Sequence, residues 1–328
     1  MDDIAVSVAI SCYNFEDYIG ECIISILSQN TDFNFEVIIV DDASTDNSAN
    51  IIHSLISNNP RVKFIQQQTN KGSDATKQLA CTLAQGKYIA FLDGDDVAYA
   101  NKLQTQYDYL ENNPDCSCCY HDMAMIDKDS TNLGLSYFEQ FYNQQYIPDK
   151  AEMAHLVQYG TFLVASSQMF IASAFKENLL PTNLNYIQDF YYHVHTASKG
   201  NFGRIMKTLG AYRQHEQSYS GQNAKSNERR LECLQNILMA CDYAHSLGCD
   251  IEIVNRGKMH FYFAAAIYFA KKNEPELFTN LIKQSSNGDK FFDNRHETLF
   301  KLAKQSFEAA LSYINSAAFS NNAQGALK

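Results

Sequence analysis

The sequence predicts an α/β protein whose first half is a mostly parallel sheet with helices on both of its faces. Short apolar runs rich in β-branched residues alternate with segments whose apolar residues recur every three or four positions. Three of the apolar runs end in clusters of polar side chains. After about residue 223 the alternation stops and only helical patterns follow. The chain therefore reads as an α/β unit with a helical appendage at its C-terminal side.

Four strands and three helices alternate along the first hundred residues. We expect strands at Ile4–Ile10, Phe35–Val40, Val62–Gln66 and Lys87–Leu92, and helices at Phe15–Gln29, Ser48–Ser57 and Asp74–Gln85. Ser44 or Thr45 is placed to cap the second helix. Right-handed crossovers between these strands make the sheet parallel and bring its carboxyl ends to one edge.

Polar clusters follow the first, second and fourth strands, at Ser11–Asn14, Asp41–Asp46 and Asp93–Asp96. Ligands bind at this edge of an open α/β sheet. The last cluster is an Asp-Gly-Asp-Asp run, and its three like charges repel unless a cation or hydrogen-bond donors offset them. Its glycine permits a sharp turn. Carboxylate oxygens suit Mg²⁺ and Mn²⁺, so the run favours a metal–nucleotide site over an ordinary polar turn.

Composition excludes several classes of protein. The chain has 26 basic and 37 acidic residues and a net charge of −11, which argues against a general nucleic-acid binder. No apolar run reaches the roughly 20 residues of a membrane span, and the acidic N-terminus is unlike a signal peptide. The nine cysteines form no disulfide framework, which indicates reduced thiols. We expect a cytoplasmic protein, and peripheral contact with the inner face of the membrane stays open.

The first hundred residues resemble the nucleotide-binding half of the family 2 inverting glycosyltransferases, which have the GT-A fold. Five motifs in the family's order and spacing carry the resemblance, namely Val6–Asn14, Ser25–Gln29, Glu36–Asp46, Asn70–Gly72 and Gly86–Asp96. The resemblance implies a GT-A-like nucleotide-binding sheet, a nucleotide-diphosphate sugar as donor, and Mn²⁺ or Mg²⁺ as cofactor.

The resemblance also assigns roles to residues at the sheet edge. Ser11 and Tyr13 would contact the nucleotide base, and Asp42 would accept a hydrogen bond from it, which suits the N3–H of uracil. Asp93 would approach the ribose or the base. Asp95 would hold the metal that bridges the diphosphate, and whether Asp93 or Asp96 shares metal binding stays open.

Three further positions resemble family motifs. Lys77 stands where the family often has an arginine, and it keeps the charge but lacks the planar guanidinium, so its role in the donor site stays open. Gln188-Asp189 resembles the family's acidic pair at the start of a helix, which would make Asp189 the general base. The simpler alternative is a carboxylate that caps the helix or complements its dipole. Leu209–His215 resembles the closing Tyr-Arg-x-His element, in which His215 would face the metal or the diphosphate.

Two segments between these motifs have competing interpretations. A helix is expected at Asn101–Asn112, and after it Cys116–His121 combines cysteines with a histidine. We predict a core strand rather than a zinc site, because no second pair of ligands is in sight and adjacent Cys118 and Cys119 would point to opposite faces. The aromatic segment Ser136–Pro148 either stacks on a sugar or packs in the ordinary way.

These patterns divide the chain into a catalytic domain at 1–222, a helical domain at 223–319 and a disordered tail at 320–328. The catalytic domain consists of a nucleotide-sugar half at 1–100 and an acceptor half at 101–222. Helices are expected at Glu228–Leu247, Gly257–Lys272, Pro275–Ser285 and His296–Ala318. The helical part could hold an acceptor, a second subunit, or simply the catalytic domain.

The function predicted from these features is metal-assisted inverting transfer of a sugar. A UDP-sugar would be the donor, and a hydroxyl of a glycan or lipid-linked glycan would be the acceptor, in surface polysaccharide or glycoconjugate synthesis. The alternative is an inactive GT-A-like scaffold that acts through its helical part. A phosphatase with an Asp cluster would leave the Tyr-Arg-x-His element unexplained.

Overall fold

The computed structural model describes residues 3–57, 59–142, 144, 147–174, 188–215, 226–286, 288 and 290–321. Strands in these ranges form one sheet. They are β1 (Ile4–Cys12), β2 (Asn34–Asp41), β3 (Val62–Gln66), β4 (Tyr88–Asp93), β5 (Val97–Ala98), β6 (Cys116–Ile126), β7 (Asn132–Ser136), β8 (Lys150–Ala151), β9 (Gln168–Ile171) and β10 (Asn201–Arg213).

The order of strands in the sheet is β3-β2-β1-β4-β9-β6-β10-β5, with β7 beside β6 and β8 beside β10. The pairs β1–β2, β1–β4, β2–β3 and β6–β10 run parallel. The antiparallel pairs each include one of the short strands β5, β7, β8 and β9. This mostly parallel sheet confirms the predicted fold class.

Helices cover the sheet and continue beyond it. They are α1 (Ile19–Leu27), α2 (Ser48–Ile56), α3 (Ser73–Leu83), α4 (Lys102–Asn112), α5 (Tyr137–Phe141), α6 (Met153–Tyr159), α7 (Gln188–Ala197), α8 (Asn227–Ser246), α9 (Ile251–Lys271), α10 (Pro275–Gln284), α11 (Asn294–Ala303), α12 (Phe307–Ile314) and α13 (Ala317–Asn321). Single 3₁₀ turns at Ala165–Ser167 and Ala172–Ala174 flank β9.

Successive residues of the central strands belong to different hydrophobic cores, because side chains alternate across a strand. Ile10 of β1 shares a core with Ile23 of α1, whereas Ala9 shares the opposite core with Ala80 of α3. Helices therefore lie on both faces of the sheet, as predicted. The same alternation puts Cys118 and Cys119 of β6 in opposite cores, which confirms the interpretation of this segment as a core strand.

The start of α1 and the cap of α2 differ from the predictions. The first helix begins at Ile19 rather than Phe15, because the Phe15 backbone N–H donates to Ser48 Oγ at 2.9 Å and precedes the helix in a turn. Neither Ser44 nor Thr45 caps α2. The Ser44 hydroxyl donates to the Asp41 carboxylate instead, and Asp46 Oδ1 accepts from the Ser48 backbone N–H at 2.9 Å.

The boundaries of the C-terminal helices also differ from the predictions. Helix α9 begins at Ile251, capped by the Asp250 carboxylate, so the predicted start at Gly257 is wrong. A Cβ at Gly257 would lie 2.1 Å from the carbonyl oxygen of Val157, so this glycine marks close helix packing rather than a helix end. The predicted helix His296–Ala318 is in fact α11, α12 and the start of α13.

The C-terminal helices pack on the sheet through α6 and α7. Leu238 of α8 and Phe263 of α9 belong to the same hydrophobic core as Phe202 of β10. Division into two domains at about residue 222 stays a prediction. Of the expected tail at 320–328, the first two residues end α13, and 322–328 lie outside the described residues.

Candidate functional site

The polar clusters that follow β1, β2 and β4 meet at one edge of the sheet, as predicted. Ser11 of β1 lies opposite Asp93 of β4, and the next residue of β1 lies opposite Asp41 of β2. Glycine is required at position 94 because a Cβ there would lie 2.7 Å from the Ser11 carbonyl oxygen. The edge of the sheet therefore brings the predicted nucleotide and metal residues together.

Asp93 lies between a hydroxyl group and an ammonium group. Ser11 Oγ donates to Asp93 Oδ1 at 3.1 Å, and Lys77 Nζ lies 3.0 Å from the same oxygen. Burial raises the pKa of Asp93, although the Lys77 charge acts in the opposite direction. Burial alone would lower the pKa of Lys77, but the carboxylates of Asp93 and Asp189 more than reverse this. Lys77 is therefore a charged lysine among carboxylates at neutral pH.

Asp95, the predicted metal ligand, is in direct contact with His215, which was predicted to face the metal or the diphosphate. Asp95 Oδ2 lies 2.9 Å from His215 Nε2, and the two side chains are 13% and 4% exposed. The imidazole ring also packs against the rings of Phe15 and Tyr18, with centroids 6.0 and 4.8 Å away. Residues from three segments of the chain therefore meet beyond the end of β4: the Asp95–Asp96 turn, the Phe15–Tyr18 segment and His215.

The Asp95–His215 pair fits a divalent cation that receives its other ligands from elsewhere. The pair offers a carboxylate oxygen and an imidazole nitrogen, and His215 Nδ1 is buried with no hydrogen-bond partner among the described residues. Nowhere in the described part of the chain do three or more His, Cys, Asp or Glu side chains form a complete metal site. Diphosphate oxygens and water would have to complete the coordination.

Asp96 is a buried carboxyl whose oxygens are both used within the protein. It is 1% exposed, accepts from the Arg213 backbone N–H at 2.9 Å, and accepts from Ser166 Oγ at 2.5 Å. Burial and the nearby charge of Asp95 raise its pKa well above the ordinary value. Asp96 therefore fixes the shape of the turn after β4.

Ser166 is a site residue that the sequence did not reveal. Its hydroxyl donates to Asp96 and accepts from the backbone N–H of Asp93 at 2.9 Å, so it joins two of the three aspartates. The only signal was a pair of serines in the otherwise apolar segment Phe162–Ser173.

Asp42 is 2% exposed and organises the neighbouring turn. Its Oδ1 accepts from the Lys71 backbone N–H at 2.7 Å and from Gln67 Nε2 at 2.9 Å, and its Oδ2 accepts from the Gly72 backbone N–H at 2.8 Å. Gly72 has a φ of +89°, which favours glycine, and it leads into α3. Tyr13, with 42% of its surface exposed, lies after β1 at the same edge.

Asp189 lies in the first turn of α7 and is exposed. It lines a small cavity together with Asp74, Lys77, Gln168 and His193. Sequence reasoning missed Asp74, whose pKa is raised to about 7 by burial and by the charge of Asp189. The feature of the sequence that could have pointed to Asp74 is its position as an acidic residue in the first turn of α3. The predicted base therefore lies beside the lysine that pairs with Asp93.

His193 forms part of the wall of this cavity. Its Nε2 lies 2.9 Å from Gln168 Oε1, and burial lowers its pKa to about 4. His193 is therefore a neutral imidazole at physiological pH, one helical turn beyond Asp189. It contributes no charge to the cavity.

Residues 7–179 match the model of glycosyl transferase family 2, which is more than half of the chain. The chain belongs to glycosyl transferase family 2. The match includes the Asp93–Asp96 turn and ends before α7.

Sequence relatives match about two thirds of the chain. An uncharacterized protein of Mycobacterium tuberculosis strain H37Rv is 31% identical over 212 residues, which are 64% of this chain and 59% of that protein. An uncharacterized glycosyltransferase of Rickettsia conorii is 30% identical over 217 residues, or 65% of this chain and 33% of the relative. The chain thus covers less than two thirds of the length of these relatives.

Solved structures resemble the chain over nearly its whole length. Staphylococcus aureus TarS residues 1–349, solved with UDP-GlcNAc, gives a TM-score of 0.70 at 17% identity and covers 97% of this chain and 92% of TarS. The mannosyltransferase PcManGT of Pyrobaculum calidifontis, solved with GDP-Man and Mn²⁺, gives 0.54 at 14% identity, covering 98% and 90%. The fold is GT-A-like with a C-terminal helical region, as predicted. Across the described ranges, no helix combines the length and hydropathy needed to cross a bilayer.

Proposed function

We propose that this family 2 protein is an inverting glycosyltransferase that uses a nucleotide-diphosphate sugar. The observation that carries the proposal is the 2.9 Å contact between Asp95 and His215 at the carboxyl edge of the sheet. The Asp93–Lys77 pair and Asp189 lie at the same edge. A UDP-sugar is the proposed donor, and the proposed acceptor is a hydroxyl of a glycan or lipid-linked glycan in surface polysaccharide or glycoconjugate synthesis.

The nucleotide would bind along the ends of β1 and β2. Ser11 and Tyr13 would contact the base, with the exposed ring of Tyr13 packing against it. Asp42 would accept from the N3–H of uracil, since a carboxylate oxygen with one protein donor can accept a second hydrogen bond. Asp93 would accept from a ribose hydroxyl, held in place by Lys77. The nucleotide-sugars bound to TarS and PcManGT support this class of donor.

Asp95 and His215 would hold a divalent cation on the diphosphate. Such a cation, when bound, offsets the negative charge that develops on the leaving diphosphate. The imidazole nitrogen favours Mn²⁺ over Mg²⁺, because Mg²⁺ sites in proteins are built from oxygen ligands. The Mn²⁺ in PcManGT agrees with this choice.

Asp189 would act as the general base. Its carboxylate accepts the proton of the acceptor hydroxyl while that oxygen forms a bond to C1 of the sugar. The bond between C1 and the diphosphate oxygen breaks in the same step, and the electron pair leaves with the diphosphate. A single displacement inverts the anomeric centre, and the proton ends on Asp189.

Thermal unfolding with UDP, GDP, dTDP and CMP, each with and without Mn²⁺, tests the proposal. A ligand at a hundred times its Kd adds about 2.7 kcal/mol to the free energy of unfolding, which shifts the midpoint visibly. We expect a shift with UDP that requires Mn²⁺ and is lost in Asp95→Asn. Absence of a shift with every nucleotide would contradict the proposed activity and favour the inactive scaffold.

A further inference from the structure

Arg213, the last residue of β10, donates hydrogen bonds to two of the three aspartates at and after the end of β4. Its backbone N–H donates to Asp96 Oδ1 at 2.9 Å, and its Nε donates to the carbonyl oxygen of Asp95 at 2.8 Å. The residue is 1% exposed although it carries a guanidinium group. A buried guanidinium is costly unless its donors are satisfied, so this residue has a defined structural task.

The rest of the guanidinium group reaches two other segments. Nη2 donates to Glu21 Oε2 in the first turn of α1 at 2.6 Å. Nη1 donates to Ser130 Oγ at 2.9 Å and to the carbonyl oxygen of Asp127 at 3.1 Å, both in the turn between β6 and β7. Ser130 in turn donates to Glu21 Oε2 at 2.8 Å. Arg213 therefore joins the β4 turn to α1 and to the β6–β7 turn.

Tyr18 lies between Arg213 and His215. The guanidinium carbon of Arg213 is 4.9 Å from the centroid of the Tyr18 ring, and the His215 ring is 4.8 Å from it. Phe15 contacts His215 edge-on, with ring centroids 6.0 Å apart. His215 follows the end of β10 by two residues, so ring packing and the contact with Asp95 determine where its imidazole points.

We propose that Tyr18 and Arg213 are positioning residues that hold Asp95 and His215 in the geometry required by the metal–diphosphate group. This inference rests on the proposed function, because it takes Asp95 and His215 as the metal residues. Arg213 fixes the backbone of Asp95, and Tyr18 fixes the ring of His215. Neither residue is assigned a contact with the sugar or the diphosphate.

The arrangement also connects the two ends of the donor site. Tyr18 belongs to the same short segment between β1 and α1 as Tyr13, which is proposed to contact the base. A displacement of this segment would move the Tyr18 ring away from His215. Tyr13 and Tyr18 lie five positions apart, so we expect metal affinity and nucleotide affinity to be coupled through this segment.

Metal affinity is the direct measurement, because it requires no turnover. Free Mn²⁺ would be quantified by electron paramagnetic resonance during titration of the protein in the presence of UDP. Loss of a group that orients a metal ligand typically lowers metal affinity by about 10- to 100-fold, so we expect at least a tenfold loss in Tyr18→Leu and in Arg213→Lys. The matched controls are Tyr107→Leu, a partly buried tyrosine of α4, and Arg204→Lys, another arginine of β10.

An unchanged Mn²⁺ affinity in folded Tyr18→Leu would overturn the inference, as would an equal loss in Tyr107→Leu. Tyr18→Leu also decides the matter if Arg213→Lys fails to fold. A metal-free crystal structure of Tyr18→Leu gives a second readout. We expect His215 Nε2 to leave Asp95 Oδ2, and an unchanged 2.9 Å contact would overturn the inference. If the wild-type protein bound no Mn²⁺, the proposed metal role of Asp95 and His215 would be wrong. The distance between His215 Nε2 and Asp95 Oδ2 in Tyr18→Leu would then decide whether Tyr18 positions His215.

Discussion

Lys77 Nζ and Asp93 Oδ1 form an ion pair of 3.0 Å that connects the first turns of α3 to the end of β4. The pair is shielded from solvent, since the two side chains are 14% and 25% exposed. Asp74 and Asp189 line a small cavity with this lysine, and their charges also act on it. One ammonium group therefore balances several carboxylates at the centre of the proposed donor site.

Lys77→Met should lower both stability and donor affinity, because it leaves Asp93 and its neighbours without a compensating charge. Breaking a largely buried pair while leaving one partner costs several kcal/mol, and partial exposure reduces this to about 2 kcal/mol. Urea unfolding measures the stability, and calorimetry with UDP measures the affinity. Lys77→Arg is the control that keeps the charge. Equal stability of the Met variant and wild type would contradict the expectation.

Asp189→Asn should fold normally, bind UDP with Mn²⁺ and lose transfer. The side chain is exposed, so the free energy of unfolding should change by no more than about 0.5 kcal/mol. Loss of a general base lowers the rate by about 10²- to 10⁴-fold. The transfer rate would be measured as the initial rate of UDP release, with a donor and an acceptor found by screening. Asp242→Asn is the surface control. Near-wild-type turnover would remove Asp189 from the mechanism.

Ser166→Ala should damage the Asp turn, because it removes the hydroxyl shared by Asp93 and Asp96. A buried acceptor and a buried donor lose their partner, which costs about 1–3 kcal/mol for each unsatisfied group. Ser167→Ala is a matched control, since its buried hydroxyl donates to the nearby Val164 carbonyl oxygen at 2.7 Å rather than to an aspartate. We expect both variants to be less stable in urea, but only Ser166→Ala to bind UDP and Mn²⁺ more weakly. Equal binding by the two variants would contradict this role.

Lys102 should make stability depend on pH outside the proposed site. It is 1% exposed, its Nζ donates to Gln106 Oε1 at 2.6 Å, and burial lowers its pKa to about 7. Between that pKa and the ordinary value of about 10.4, the unfolded chain holds a proton that the folded protein has lost. The contribution of Lys102 to stability therefore rises with pH in this window, by up to about 1.4 kcal/mol per unit.

Lys102→Met isolates this contribution, because every other titrating group is common to both proteins. Urea unfolding at pH 6.5 and 8.5 should show the methionine variant as the more stable protein at pH 6.5. Its advantage should shrink at pH 8.5 as wild type gains stability. An advantage that is the same at both pH values would show that Lys102 keeps its proton when folded.

The parts of the site that follow strands could be predicted from sequence. The alternation of strands with helices and the polar residues at strand ends are both visible as local patterns. Ser11, Asp93 and Asp95 were placed at one edge of the sheet from these patterns alone, and the structure brings them there. His215 was predicted only from its motif, and the structure places it on Asp95. The roles assigned to these residues stay predictions.

What the sequence could not show depends on contacts between distant segments. Ser166 lies 70 residues from Asp96, and nothing in its own segment distinguishes it from Ser167. Asp74 becomes part of the site only because α3 and α7 border the same cavity. From sequence, Gly257 looked like a helix boundary. A glycine is needed there because the carbonyl oxygen of Val157, a hundred positions earlier in the chain, lies too close for a side chain.

The contact between Gly257 and Val157 has a consequence for how the chain can be divided. Helix α9 approaches α6 so closely that a side chain at position 257 would displace the backbone of its neighbour. A fragment that stopped at residue 222 would leave the apolar side of α6 and α7 facing water. We therefore expect such a fragment to aggregate on expression, and an exchange of the helical part of this chain would have to keep the contact between Gly257 and Val157 unchanged.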